Sequence, residues 1–115
     1  MNSVEIRATE EKDVLRLRLC GELDHHAARE VMLRAEEILN RRLPPDCVLD
    51  LSSLRFMDSS GVALILRLHK YMNELGGRLR VENPTGQPLR VLDISGIDRL
   101  VRISNACTTG KEQGQ

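Results

Sequence analysis

The stretch Cys47-Val48-Leu49-Asp50-Leu51-Ser52-Ser53-Leu54-Arg55-Phe56-Met57-Asp58-Ser59-Ser60-Gly61 decides the fold. Its first five residues form a compact, mostly apolar run, the pattern of a central strand covered on both faces. Its last six hold the only phenylalanine of the chain, then an acid, two hydroxyls and a glycine, just ahead of an amphipathic segment. An acid and serines in that place mark a helix start. Unpaired N–H groups and a partial positive charge there favour a carboxylate, a hydroxyl or a phosphate. The helix is predicted over residues 60–75, with Ile65, Leu68, Met72 and Leu75 inward and Arg67, Lys70 and Glu74 outward. Gly76-Gly77 supplies its stop.

The same reading extends in both directions. Residues 4–8 alternate, and Leu15-Arg16-Leu17-Arg18-Leu19 alternates more cleanly. Both predict strands with one buried face, and the polar link at residues 9–13 is short enough for an antiparallel hairpin. Gly21 is expected to end the second strand. A helix follows, with Ala28, Val31, Met32, Ala35, Ile38 and Leu39 on one side, until Pro44-Pro45 stops it. Arg78-Leu79-Arg80-Val81-Glu82 predicts a further strand, Pro88 the start of a short helix through Leu92, and Leu100-Val101-Arg102-Ile103 a last strand.

The order β-β-α-β-α-β-α-β predicts an α/β fold: a mixed, mainly parallel sheet with an N-terminal antiparallel hairpin strand and helices packed against it. Loops after the carboxyl ends of parallel strands gather on one rim. Residues 21–26, 52–59 and 82–88 should therefore meet, bringing Glu22, Asp24, Asp58, Ser59 and Ser60 together. Residues 1–104 are expected to form one domain and residues 105–115 a polar tail, disordered and without a helical stripe.

The 115 residues suit a single domain, and its core must be aliphatic, since the chain has one Phe, one Tyr and no Trp. Seventeen basic residues balance seventeen acidic ones, so no overall charge points to nucleic acid or an anionic membrane. No apolar run approaches a membrane span, and the first residues lack the basic and apolar regions of a signal peptide. Three widely spaced cysteines, Cys20, Cys47 and Cys107, argue against a disulfide framework or a zinc knuckle and fit a reducing cytoplasm. Cys20 and Cys47 are expected to be small buried residues.

Taken alone, Asp58-Ser59-Ser60-Gly61 reads as a helix cap, worth about 1 kcal/mol. Asp24 reads as the cap of the first helix, with His25-His26 at its start. Adjacent helical residues point about 100° apart, so these histidines cannot readily share a metal ion. His69 reads as a boundary residue on the second helix. Enzyme readings lack support: neither serine lies in a Gly-x-Ser-x-Gly elbow, and no Gly-rich phosphate loop ending in Lys-Ser/Thr occurs. No catalytic residue, metal or cofactor is expected.

Two motifs at their separation add a resemblance. Gly21-Glu22-Leu23-Asp24-His25-His26, together with Leu49-Asp50-Leu51 leading into Phe56-Met57-Asp58-Ser59-Ser60-Gly61, resembles the STAS family (sulfate transporter and anti-sigma factor antagonist domains). Within it the match is to the anti-sigma-F factor antagonists of bacterial sporulation. Gly76-Gly77 and Asp93-Ile94-Ser95-Gly96 also fit, and the likeness spans residues 4–104. The resemblance implies a binding switch. The unmodified antagonist binds an anti-sigma factor that is also a serine kinase and so frees a sigma factor; the kinase phosphorylates the first serine after the aspartate, and a PP2C-type phosphatase reverses this. Carried over by position, the phosphoacceptor is Ser59, and the partner surface comprises Glu22, Asp24, Met57, Asp58, Ser59, Ser60 and Gly61. The alternatives are a partner-switching module of a general-stress pathway and a non-phosphorylated STAS scaffold subunit.

Overall fold

The computed structural model describes residues 4–105. The expected tail, apart from its first residue, lies outside this range. Strand β1 (Val4–Glu11) turns through Lys12-Asp13 into β2 (Val14–Leu23), followed by helix α1 (His25–Arg42) and strand β3 (Asp46–Met57). Helix α2 (Ser59–Glu74), strand β4 (Arg78–Glu82), helix α3 (Gly86–Ser95), a 3-10 turn (Ile97–Arg99) and strand β5 (Arg102–Ser104) complete the order. The sheet runs β1-β2-β3-β4-β5, antiparallel between β1 and β2 and parallel elsewhere, as the sequence predicts.

Several boundaries differ from the sequence reading. The hairpin link is two residues rather than five, because Lys12 takes up a left-handed φ of 55° and lets the strand pairing run to Glu11 opposite Val14. Gly21 does not end β2. It sits inside the strand at φ 108°, between register shifts at Arg18/Cys20 and Gly21/Glu22, where its freedom at positive φ lets the strand bulge and continue. The helix expected from Pro88 begins at Gly86, and the last strand starts two residues late, after the 3-10 turn.

Strand β3 is covered on both faces, as its apolar run predicts, but the two covers differ in kind. Each crossover carries the chain to the next strand in the same direction, so crossovers of one hand place all three helices on one face. Leu15, Leu17 and Leu19 of β2, Cys47, Leu49 and Leu51 of β3, and Leu79 and Val81 of β4 point to that face. There they meet Val31, Ala35 and Leu39 of α1, Ile65, Leu68 and Met72 of α2, and Leu92 of α3. Cys47 is buried among these aliphatic groups, which pushes its thiol up to about 12. Cys20 is half-buried rather than buried, since it alternates onto the other face.

Among the described residues that other face bears no helix. Val48 and Asp50 of β3 are nevertheless buried there, beneath the side chains of the flanking strands. Arg16 bridges two strands, with Nη1 3.1 Å from Asp50 Oδ2 and Nη2 3.1 Å from Glu82 Oε1. Arg18 lies 3.5 Å from Asp50, and Arg80 lies 3.1 Å from Glu82. Burial by itself would raise the Asp50 carboxyl; hydrogen bonds from Ser52 and the charges of Arg18 and Arg16 outweigh it and hold Asp50 below the usual carboxylate range.

Candidate functional site

The site is built by using one local device twice. β2 and β3 end level with each other, Glu22 opposite Phe56 and Leu23 opposite Met57. Each strand closes on a fully buried apolar residue, Leu23 or Met57, and each is followed by an aspartate that caps a helix. Asp24 Oδ1 accepts from the Ala27 N–H at 2.9 Å, and Asp58 Oδ1 accepts from the Ser60 N–H at 2.8 Å. Their backbones are nearly the same, φ −94° and ψ −172° against φ −104° and ψ −168°. The Asp58 N–H donates to the Leu23 carbonyl at 3.3 Å, so the two caps are tied side by side. Each cap stabilises its helix by roughly 1 kcal/mol.

Ser59 and Ser60 differ in this setting. Ser59 is the first residue of α2, is exposed, and its hydroxyl has no partner among the described residues. Ser60 is half-buried, and its hydroxyl lies 3.5 Å from His25 Nδ1. Glu22 is exposed beside Arg55, 3.8 Å away. The structure thus places Glu22, Asp24, Asp58, Ser59 and Ser60 on one rim. The rings of His25 and His26 are 6.3 Å apart and tilted, and among the described residues no three His, Cys, Asp or Glu side chains converge as metal ligands.

Met57 and Gly61 do not stand on that surface. Met57 is 0% exposed and Gly61 is buried; a Cβ on Gly61 would run into Met57 Cε and lie 3.1 Å from Leu23 Cδ2. The glycine lets the first turn of α2 close over the ends of both strands, so these two residues support the rim from beneath.

One residue of the site escaped the sequence reading. Gln87, in the first turn of α3, accepts from the Met57 N–H through Oε1 at 2.9 Å and donates from Nε2 to the Met57 carbonyl at 3.0 Å. It lies 30 residues downstream of Met57, and a side chain bonding to a distant backbone leaves no periodic or motif signal.

Comparison with known proteins agrees with this architecture. The STAS domain family profile matches residues 5–109. The chain is 38% identical over 101 residues to an anti-sigma F factor antagonist of Paenibacillus polymyxa, covering 88% of this chain and 86% of that protein. It is 31% identical over 86 residues to an anti-sigma F factor antagonist of Lysinibacillus sphaericus, covering 75% and 74%. In fold it is similar to the anti-sigma factor antagonist SpoIIAA in its unphosphorylated form, with a TM-score of 0.75, 24% identity, and 95% of this chain and 100% of that one covered. An anti-sigma factor antagonist from Mycobacterium paratuberculosis superposes with a TM-score of 0.80 at 20% identity, over 89% and 86%. With nearly its whole length matched, and with twin aspartate-capped helices standing where the two motifs fall, the chain belongs to the STAS family, among the anti-sigma factor antagonists.

Proposed function

We propose that this domain is a phosphorylation-controlled partner switch: unmodified, it binds an anti-sigma factor serine kinase and so frees a sigma factor, and phosphate on Ser59 turns it off. The observation that carries this reading is the exposed Ser59 hydroxyl, without a partner among the described residues, at the start of α2 and beside two capping aspartates. The helix end tolerates an added anion, so the domain keeps its fold when modified. A partner does not tolerate it. A phosphate adds about −1.5 to −2 charges next to Asp58, Asp24 and Glu22, and an interface shaped around a hydroxyl cannot desolvate them cheaply. A PP2C-type phosphatase would restore the binding form. The domain acts by binding and performs no chemistry of its own.

The anti-sigma F antagonists among the relatives support a sporulation sigma factor as the one released. The second reading, a general-stress pathway, draws on 24% identity over 102 residues to the anti-sigma-B factor antagonist of Bacillus subtilis. The lower identity places it behind the first.

Incubation with the cognate anti-sigma kinase and Mg-ATP is expected to add one phosphate, found on Ser59 by tandem mass spectrometry. Phosphate on Ser60, or none with an active kinase, would overturn the assignment. The role of Asp24 can be separated from its capping. Asp24→Asn keeps an Oδ acceptor for Ala27 and is expected to keep stability within a few tenths of a kcal/mol while weakening the kinase complex; Asp24→Ala is expected to lose about 1 kcal/mol as well. If Asn binds the kinase as well as Asp does, Asp24 is a cap and nothing more.

A further inference from the structure

We infer that Gln87 is a positioning residue for the phosphoacceptor: its carboxamide stands in for a missing strand and holds the peptide that aims Ser59, an inference that rests on the reading of Ser59 given above.

β4 pairs with β3 only as far as Asp50 opposite Glu82. Beyond that point Asn83 turns away at φ 61°, and its N–H donates to the Ser104 carbonyl of β5 at 2.8 Å. From residue 51 to 57 β3 therefore runs on without β4, held on the other edge by β2. At Met57, the last residue of this overhang, N–H and C=O both point to the uncovered edge, since the β2 edge is served by its neighbour Asp58. Buried amide groups need partners. Gln87 supplies both, at 2.9 and 3.0 Å, in the double exchange that one residue of an antiparallel partner would make.

The consequence falls on Ser59 because everything else around it is already fixed. The Met57 side chain is enclosed beneath Gly61. Asp58 is held by the Leu23 carbonyl and by its own bond to the Ser60 N–H. The remaining freedom is rotation and slippage of the Met57 peptide, and Gln87 removes it from outside the sheet. In the transfer, Ser59 Oγ attacks the γ-phosphorus of ATP; a new O–P bond forms, the β,γ-bridging bond breaks, ADP leaves, and the hydroxyl proton passes to a base of the kinase. Such an attack needs reacting atoms held about 3–3.5 Å apart, and a misplacement of 1 Å can cost about a hundredfold. Gln87 is anchored in α3, whose Pro88 and Leu92 are buried, so the aim of Ser59 is coupled to the seating of that helix.

The test uses Gln87→Met, which keeps the length of the side chain without its donor or acceptor, and Gln87→Glu, which keeps the acceptor alone. With the cognate kinase and Mg-ATP, Gln87→Met is expected to lower kcat for Ser59 phosphorylation about tenfold with KM changed less than threefold, to move part of the phosphate to Ser60, and to speed Met57 amide hydrogen exchange at least tenfold. Gln87→Glu is expected to fall between it and the wild type on all three. Unchanged kcat and an unchanged Ser59-to-Ser60 ratio in a folded variant, whatever the exchange rate, would overturn the inference and leave Gln87 a stabilising contact only. Lack of phosphate on the wild type itself would instead sink the reading of Ser59, and the positioning role with it, a pattern distinguishable because it precedes any effect of the variants.

Discussion

Ser59→Asp is expected to bind the ADP-bound anti-sigma kinase at least about a hundredfold more weakly than Ser59→Ala does, a difference of about 2.7 kcal/mol. The alanine variant loses only an exposed hydroxyl that bonds to nothing else among the described residues, so both its fold and its binding should stay close to wild type. The aspartate adds a carboxylate beside Asp58, on the rim that already carries Asp24 and Glu22. Thermal stability should not fall with it, because an acid in the first turn of a helix is favourable. That divergence is what makes the pair informative: binding drops while the melting temperature holds. Isothermal titration of both variants against the same kinase preparation reads it directly, and equal affinities would show that charge at this rim is not the switch.

The second large effect concerns the bare face of the sheet. Arg16→Met is expected to destabilise the domain by about 2–3 kcal/mol at neutral pH, somewhat under the roughly 3–5 kcal/mol typical of a broken buried pair. The figure is reduced because Arg18 still reaches Asp50, Arg80 still reaches Glu82, and the Arg16 side chain is itself 35% exposed and partly screened. Its pH dependence identifies the cause. The carboxyl of Asp50 is held below its ordinary value, so its contribution is complete above an unfolded value of about 3.9 and is lost as pH falls through the lower folded one. Removing Arg16 removes part of that depression. The deficit of the variant should therefore be full at pH 7 and shrink as pH falls below the ordinary carboxylate range and through the lower folded value of Asp50. Urea unfolding at pH 7 and at pH 3 measures it; a deficit that does not change with pH would assign the loss to the packing of the arginine stem.

Local chemistry was legible in the sequence and distant chemistry was not. Asp24 and Asp58 cap helices because a cap is decided within three residues, and the sequence reading places both. The alternation of residues 15–19 assigns leucines to one face and arginines to the other, again correctly. It could not say what the arginines do, since Asp50 and Glu82 meet Arg16 only once the register of three strands is set. For the same reason the apolar run of β3 told that both its faces are covered but not by what. An apolar run reports that a residue leaves water, and a cover of arginine stems gives the same pattern as a cover of helix. Gly21 read as a strand end because glycine interrupts alternation in either case, whether as a stop or as a bulge. At the rim, Met57 and Gly61 were drawn in with the motif although the structure buries both, and Gln87 had no pattern to announce it.

The arginine-covered face also bears on how the domain can meet other proteins. A five-stranded sheet with helices on one side only would ordinarily leave a flat surface ready to stack on a second copy. Here the face is a mosaic of both signs, with Arg7 beside Glu5, Arg16 and Arg18 against Asp50, Arg78 near Asp46 and Arg80 against Glu82, so stacking would take many charged groups out of water. Desolvating those ion pairs opposes the contact. Self-association through the broad side is thereby disfavoured, which agrees with the rim where the two capped helices begin as the proposed place of engagement. A partner switch of the kind proposed gains from having one end set apart for binding.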